Sequence, residues 1–183
     1  MKNIFFDIKK LKFLGKNVII GRTVRIRKPE VVSIGDNTII DDFTYISCPI
    51  KIGKNCHIGP GVTVNGGNTK INIGDFVDIG SNSTISTSST NFLNASISSA
   101  AINKSYHFGS ISEKIVIQDY VVIGSNCVIL PGVLLPEGMA SSSLTVLRKK
   151  KYLKWSLYSG FNGEFLVKRN NKEFLKKIKK IKI

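Results

Sequence analysis

The sequence predicts an all-β protein, a triangular solenoid of about six parallel coils with a long loop after the fourth coil and short terminal helices. Three observations predict it. Aliphatic residues recur every six positions, glycine often follows them directly, and each interruption falls after the third hexad of a set of three. A helical period of 3.6 cannot hold a six-residue spacing on one face, and plain strand alternation does not place glycine so regularly. Each hexad therefore reads as a short strand and a tight turn, with glycine where the backbone bends most sharply. Three hexads bring the chain back to its starting side.

In chain order, residues 1–13 set Ile4, Phe5, Ile8 and Leu11 on one helical face, which predicts a short amphipathic cap over the open end of the solenoid. The solenoid follows over 14–149. Its inward positions are Leu14, Ile20, Ile26; Ile34, Ile40, Ile46; Ile52, Ile58, Val64; Ile73, Ile79, Ile85; then, after the long insertion, Ile117, Ile123, Ile129 and Leu135, Ser141, Leu147. Ser141 alone departs from Ile, Leu or Val. A second inward position, small or β-branched, lies four residues further on, as in Val24, Thr38, Cys56, Val62, Val77, Ser83, Val121 and Cys127. Residues 86–114 form a projecting Ser- and Asn-rich loop, too long for a simple connection. The basic segment 150–183 ends in a helix, with Phe174, Ile178 and Ile181 on one stripe among lysines. That stripe fits either packing on the solenoid or a peripheral contact of 170–183 with an anionic membrane.

Composition narrows the function classes. With 183 residues, 42% hydrophobic and 21% charged, the chain carries one domain with a core and is not a disordered polymer. Its 27 basic and 12 acidic residues give a net charge of +15, which predicts anionic partners. No nucleic-acid recognition motif accompanies the charge, so no nucleic-acid partner is expected. Cys48, Cys56 and Cys127 form no CxxC pair, which suggests reduced thiols in a cytoplasmic protein, at most docked on the inner face of the membrane. The N-terminus lacks a secretory h-region, and the apolar run Tyr120 to Pro136 is broken by Gly124, Pro131 and Gly132, which argues against a spanning helix.

The stretches IGDNTIIDDF (34–43), IGKNCHIGPGVTVNGG (52–67) and VVIGSNCVILPGV (121–133) resemble those of the hexapeptide-repeat acyltransferases. The likeness runs over roughly residues 14–169 and is nearest to the galactoside, maltose and bacterial polysaccharide O-acetyltransferases. It implies a left-handed parallel β-helix, acetyl-CoA as co-substrate, a homotrimer and a loop that projects toward a neighbouring subunit. On this resemblance the expected activity is acetyl transfer to a sugar hydroxyl of a surface polysaccharide or its precursor, whether or not the acceptor is nucleotide- or lipid-linked. Two alternatives stand beside it: N-acetylation of a nucleotide-linked amino sugar, and an inactive solenoid scaffold.

Acyl transfer to a hydroxyl or amine needs a base at the acceptor, and histidine suits neutral pH. The chain has two, His57 and His107. The loop segment 87–92, where many relatives carry a histidine, has none. His57 lies five residues after Ile52, and Asp78 lies five after Ile73, the same slot one coil on. Coils about 4.8 Å apart would stack the two side chains within hydrogen-bonding range. His57 is therefore the expected base and Asp78 its orienting carboxylate, with His107 in the long loop as the rival. Asp41, Asp42, Asn65, Gly66 and Gly67 are the candidate acceptor contacts, against the plainer reading that they only form turns. The resemblance assigns Gly124, Ser125, Ser143, Arg148 and Lys149 to the acetyl-CoA groove; the cofactor's phosphates need cations, which adds Lys168, and a later-coil backbone amide is expected at the oxyanion. No metal is expected, since two separated histidines and no thiolate cluster make no site.

Overall fold

The computed structural model describes residues 3–93, 97–99, 101–106 and 109–178. His107 and Ile181, which carried expectations above, lie outside them. Three parallel sheets form the sides of a triangular prism of about seven turns, consistent with left-handed winding. The first sheet comprises Phe13–Leu14, Val32–Ile34, Ile50–Ile52, Ile71–Ile73, Ile115–Ile117 and Leu134–Leu135. The second begins with Ile19–Ile20, Ile39–Ile40, His57–Ile58, Asp78–Ile79, Val122–Ile123 and Ala140–Ser141, and the third with Arg25–Ile26, Tyr45–Ile46 and Thr63–Asn65.

Register explains the six-residue period. Ile40, Ile58, Ile79 and Ile123 pair in succession along the second sheet, so one inward isoleucine sits on the next. Of the eighteen hexad positions only Leu14, at the open start, is exposed. Ser141 keeps its hydroxyl satisfied, near Gly124 N at 3.4 Å and Cys127 Sγ at 3.5 Å. The three cysteines are buried and unpaired. Burial pushes the Cys48 and Cys56 thiols up to about 11, which suits packing and not nucleophilic attack.

Extra residues leave from the vertex joining the third sheet to the first, as the sequence predicted. The 86–114 loop departs there and opens as an antiparallel pair, Ser88–Thr90 with Ser110–Ser112. The vertex joining the first sheet to the second is a column of left-handed residues: Asn17, Asn37, Asn55, Phe76, Tyr120, Gly138 and Trp155. Each from Asn37 onward donates its N–H to a carbonyl one coil back, such as Tyr120 to Asp75 at 3.0 Å.

Two expectations are corrected. The prism has about seven turns and not six, because Ser156–Ser159 pairs in parallel with Ala140–Ser141. Lysines 149–151 interrupt the hexad phase, and Tyr158 fills the inward slot in place of an aliphatic residue, which hid this coil in the sequence. The N-terminal segment forms only a 3-10 turn, Ile8–Lys10, and not an amphipathic helix. Asn3 explains the difference. Its amide donates to Gly21 O and Val24 O while its carbonyl accepts from Phe5 N and Phe6 N, so local capping wins over a helical ladder. Phe6 and Leu11 reach the core, whereas Ile4 and Phe5 are exposed.

Candidate active site

His57 and Asp78 open neighbouring strands of the second sheet and pair directly in register. Alternation along the strand turns Ile58 and Ile79 inward and both polar side chains outward. His57 Nδ1 lies 3.0 Å from Asp78 Oδ1. The other ring nitrogen, Nε2, lies 2.8 Å from Asp41 Oδ2, reached from the preceding coil. All three side chains are roughly half exposed, at 47%, 54% and 40% for His57, Asp78 and Asp41.

Electrostatics follow from this clamp. Partial burial by itself pulls the imidazole pKa down. The hydrogen bond and charge of Asp41, with those of Asp78, outweigh it and hold His57 above its ordinary value. An imidazolium donating from both nitrogens satisfies both carboxylates. To accept a proton the ring must lose one, and Asp41 must release Nε2.

Asp41 is thus not a free acceptor contact but a partner of His57. A carboxylate on the residue after the strand reaches diagonally across one coil, a contact that slot-by-slot comparison misses. Asp42 turns the other way and accepts from Thr23 N and Thr23 Oγ1, both at 2.7 Å, which lowers its pKa. It serves its turn, the plainer of its two readings.

The remaining candidates are scattered. Gly124 and Ser125 lie at the vertex joining the second sheet to the third, three coils beyond the Asp41 corner, and Ser143 lies one coil further. Gly124 packs so tightly under the next coil that a Cβ there would overlap Ser143 N, and its own N–H is spent on Ser141 O at 3.1 Å. Asn65, Gly66 and Gly67 lie at the third–first vertex, opposite the second sheet. There Asn65 O accepts from Thr87 N at 3.0 Å, and Gly66 rests on the Thr87 side chain. One chain therefore does not bring them to His57. Arg148 and Lys149 share that far vertex: the guanidinium lies 5.1 Å from the Phe161 ring centroid, and Lys149 Nζ is bound to Glu113. Lys168 ends the edge strand Glu164–Lys168, antiparallel to Ser156–Ser159.

The tail is engaged on the solenoid. Phe174, in the helix Lys172–Ile178, packs on Tyr120 and Trp155 with ring centroids 5.2 and 5.4 Å apart. Its ring therefore contacts the solenoid through the Tyr120 and Trp155 rings. Among the described residues no helix is long and apolar enough to cross one. Phe76, Tyr120 and Trp155 were not singled out from the sequence. The signal was available, since Phe76 and Tyr120 stand three residues after Ile73 and Ile117, where earlier coils carry asparagine.

Comparison with known proteins adds an independent line. Residues 32–66 match the family described as bacterial transferase hexapeptide (six repeats). The chain is 30% identical over 144 residues to a dTDP-4-amino-4,6-dideoxy-D-glucose acyltransferase of Escherichia coli, covering 75% of this chain and 72% of that protein. It is also similar to the N-acyltransferase AntD of Bacillus cereus, solved with dTDP and 3-hydroxybutyryl-CoA. Identity is 28% and the TM-score 0.85, over 97% of this chain and 100% of AntD. A variant of AntD solved with dTDP-4-amino-4,6-dideoxyglucose and coenzyme A gives 28% and 0.86, over 98% and 99%. A hexapeptide-repeat acetyltransferase of Vibrio cholerae, 20% identical with a TM-score of 0.56 over 88% of this chain and 73% of that one, shares the fold.

Proposed function

The chain belongs to the hexapeptide-repeat acyltransferases, and from that premise we propose that it moves an acyl group from a coenzyme A thioester to the amine of a nucleotide-linked amino sugar. The observation that carries this reading is the likeness, along nearly the whole chain, to enzymes whose substrates are dTDP-linked amino sugars. It favours the amine over the sugar hydroxyl expected from the sequence. The site chemistry agrees. One imidazole between two carboxylates leaves the cluster net negative in either ring form, in a protein whose overall charge is +15. Such a cluster attracts an ammonium more than a neutral hydroxyl.

In this mechanism the acceptor ammonium pairs with Asp41 and draws that carboxylate off His57 Nε2. Any proton on His57 Nε2 and one proton of the ammonium pass to solvent water, and the free amine then attacks the thioester carbonyl and a C–N bond forms. Neutral His57 takes the proton that the nitrogen sheds, the C–S bond breaks, and the imidazolium returns the proton to the departing thiolate. Asp78 holds Nδ1–H throughout and fixes the tautomer. Ten basic residues against two acidic ones between Arg148 and Lys177 give the late coils cations for the phosphates of donor and acceptor. The far vertex with Asn65–Gly67 and Arg148 would join the site only from a second copy, which supports a homotrimer with clefts between subunits.

The test measures thiol release from acetyl-CoA and butyryl-CoA with dTDP-4-amino-4,6-dideoxyglucose and with the same nucleotide sugar bearing a C4 hydroxyl. Release with the amine alone is expected, and His57→Ala should lower kcat about a hundred-fold or more. Release with the hydroxyl sugar alone would restore the O-acyl reading.

A further inference from the structure

The first coil forms one end of the prism. Phe13–Leu14, Ile19–Ile20 and Arg25–Ile26 are the terminal strands of the three sheets. The segment 3–12 crosses this end from one vertex to another: Ile4 donates its N–H to Arg22 O at 3.1 Å, and Lys12 donates its own to Pro29 O at 3.1 Å. Phe6 and Leu11 pack down on the core. Their neighbours do not. Ile4 and Phe5 are 55% and 54% exposed, and Phe13 and Ile19 of the coil beneath are 56% and 59% exposed. The terminal cap of a solenoid ordinarily keeps a polar outer face, which holds it in solution. This one shows four large apolar side chains instead.

Charge is concentrated at the same end. Residues 3–28 hold eight lysines and arginines against one carboxylate, Asp7, a net +7. Residues 29–147, the body of the solenoid, hold five cations against nine carboxylates, a net −4. The basic character of the chain is therefore not an even coat. All eight cations are exposed, and among the described residues no ion pair engages any of them. Asp7 is committed to its own turn, accepting from Lys9 N at 3.0 Å.

We propose that this end of the prism docks on an anionic lipid surface, with Ile4, Phe5 and Phe13 entering the headgroup layer and the surrounding cations held by lipid phosphates. Apolar side chains ringed by unpaired cations fit such a surface, which rewards burial and charge together. A second copy of this chain fits poorly, because two ends of net +7 repel each other. A nucleic acid would use the cations and leave the apolar side chains in water. Docking of this kind is independent of the transferase reaction. His57 stands two coils further along the second sheet, about 10 Å from this end at the usual strand spacing, so the docking end and the catalytic cluster can be altered separately.

The experiment sediments the full chain with vesicles of phosphatidylcholine alone and of phosphatidylcholine with about one third phosphatidylglycerol. Binding to the anionic vesicles should be tighter by about ten-fold or more. Raising the salt from about 0.1 M to about 0.5 M shortens the screening length from about 10 Å to about 4 Å and should weaken that binding by a similar factor. Ile4→Ser combined with Phe5→Ser should lower the affinity about ten-fold and leave the salt response in place. Lys9→Glu combined with Lys10→Glu should lower it about ten-fold or more and flatten the salt response. All four residues lie outside the core, so thermal melts of both variants should match the wild type. Equal binding to the two vesicle types, or no binding to either, overturns the docking surface. So does binding that both variants keep and that Lys176→Glu with Lys177→Glu abolishes, which would move the contact to the tail. Binding to a DNA duplex or to RNA that is tighter than to anionic vesicles and indifferent to the Ile4 and Phe5 changes would assign the cations to nucleic acid instead. A light-scattering mass that doubles with concentration, and no longer does so in the Ile4 and Phe5 variant, would assign the apolar end to a second copy. Each of these results leaves the transferase reading standing.

Discussion

At the residue scale, the outcome turns on which proton His57 carries. Its two nitrogens face two carboxylates, which raise its pKa against the pull of partial burial. A base must be neutral, so kcat/KM should rise with pH through an inflection above the ordinary histidine value of about 6.5. Asp41→Asn removes a charge and a hydrogen-bond acceptor of full strength, and should move that inflection down. Carbon-detected NMR titration reads the ring directly, since the chain has only two histidines. An unmoved His57 titration in the variant would show that Asp41 does not hold the ring. The same linkage has a sign for stability. A folded-state pKa above the unfolded one gives a contribution present in full below the unfolded pKa and lost as pH rises through the folded one. Half-exposed side chains keep that contribution small.

At the scale of the element, each coil is a repeat that buries its inward residues only against its neighbours. Ile79 is fully buried, between Ile58 of one coil and Ile123 of the next. Ile79→Ala should therefore cost about 2–5 kcal/mol, measured by urea unfolding. A loss well under 1 kcal/mol would mean that the central coils are loosely packed. The outward face is set by the same alternation: fixing Ile58 and Ile79 inside leaves His57 and Asp78 no choice but to point out. A one-residue slip of register would bury both charges, so the aliphatic column protects the site's geometry as well as the fold.

At the scale of the molecule, a triangular prism separates what the sequence lists together. Asn65–Gly67 follow His57 by only eight to ten residues, yet the intervening chain turns a corner and traverses the whole third sheet. They can meet an acceptor at His57 only across a boundary between copies. Light scattering should accordingly give a mass three times that of one chain. A monodisperse monomer that turns over substrate would show that the site is complete within one chain and that the far vertex plays no part.

The six-residue period, the eighteen inward positions and the vertex from which insertions leave were legible because a stacked coil repeats one environment, and repetition in space is repetition in sequence. The pairing of His57 with Asp78 was legible for the same reason, since equivalent slots on adjacent coils must touch. Contacts that break the repeat were not. Asp41 reaches His57 diagonally, Asn3 overrides a helical pattern through its own hydrogen bonds, and Tyr158 builds a further turn without an aliphatic mark. The tail folds Arg169 and Phe174 back onto Tyr120 and Trp155 through a contact between segments that share no period. Only the tertiary structure decides these, because each depends on where a side chain ends in space and not on its place in a hexad.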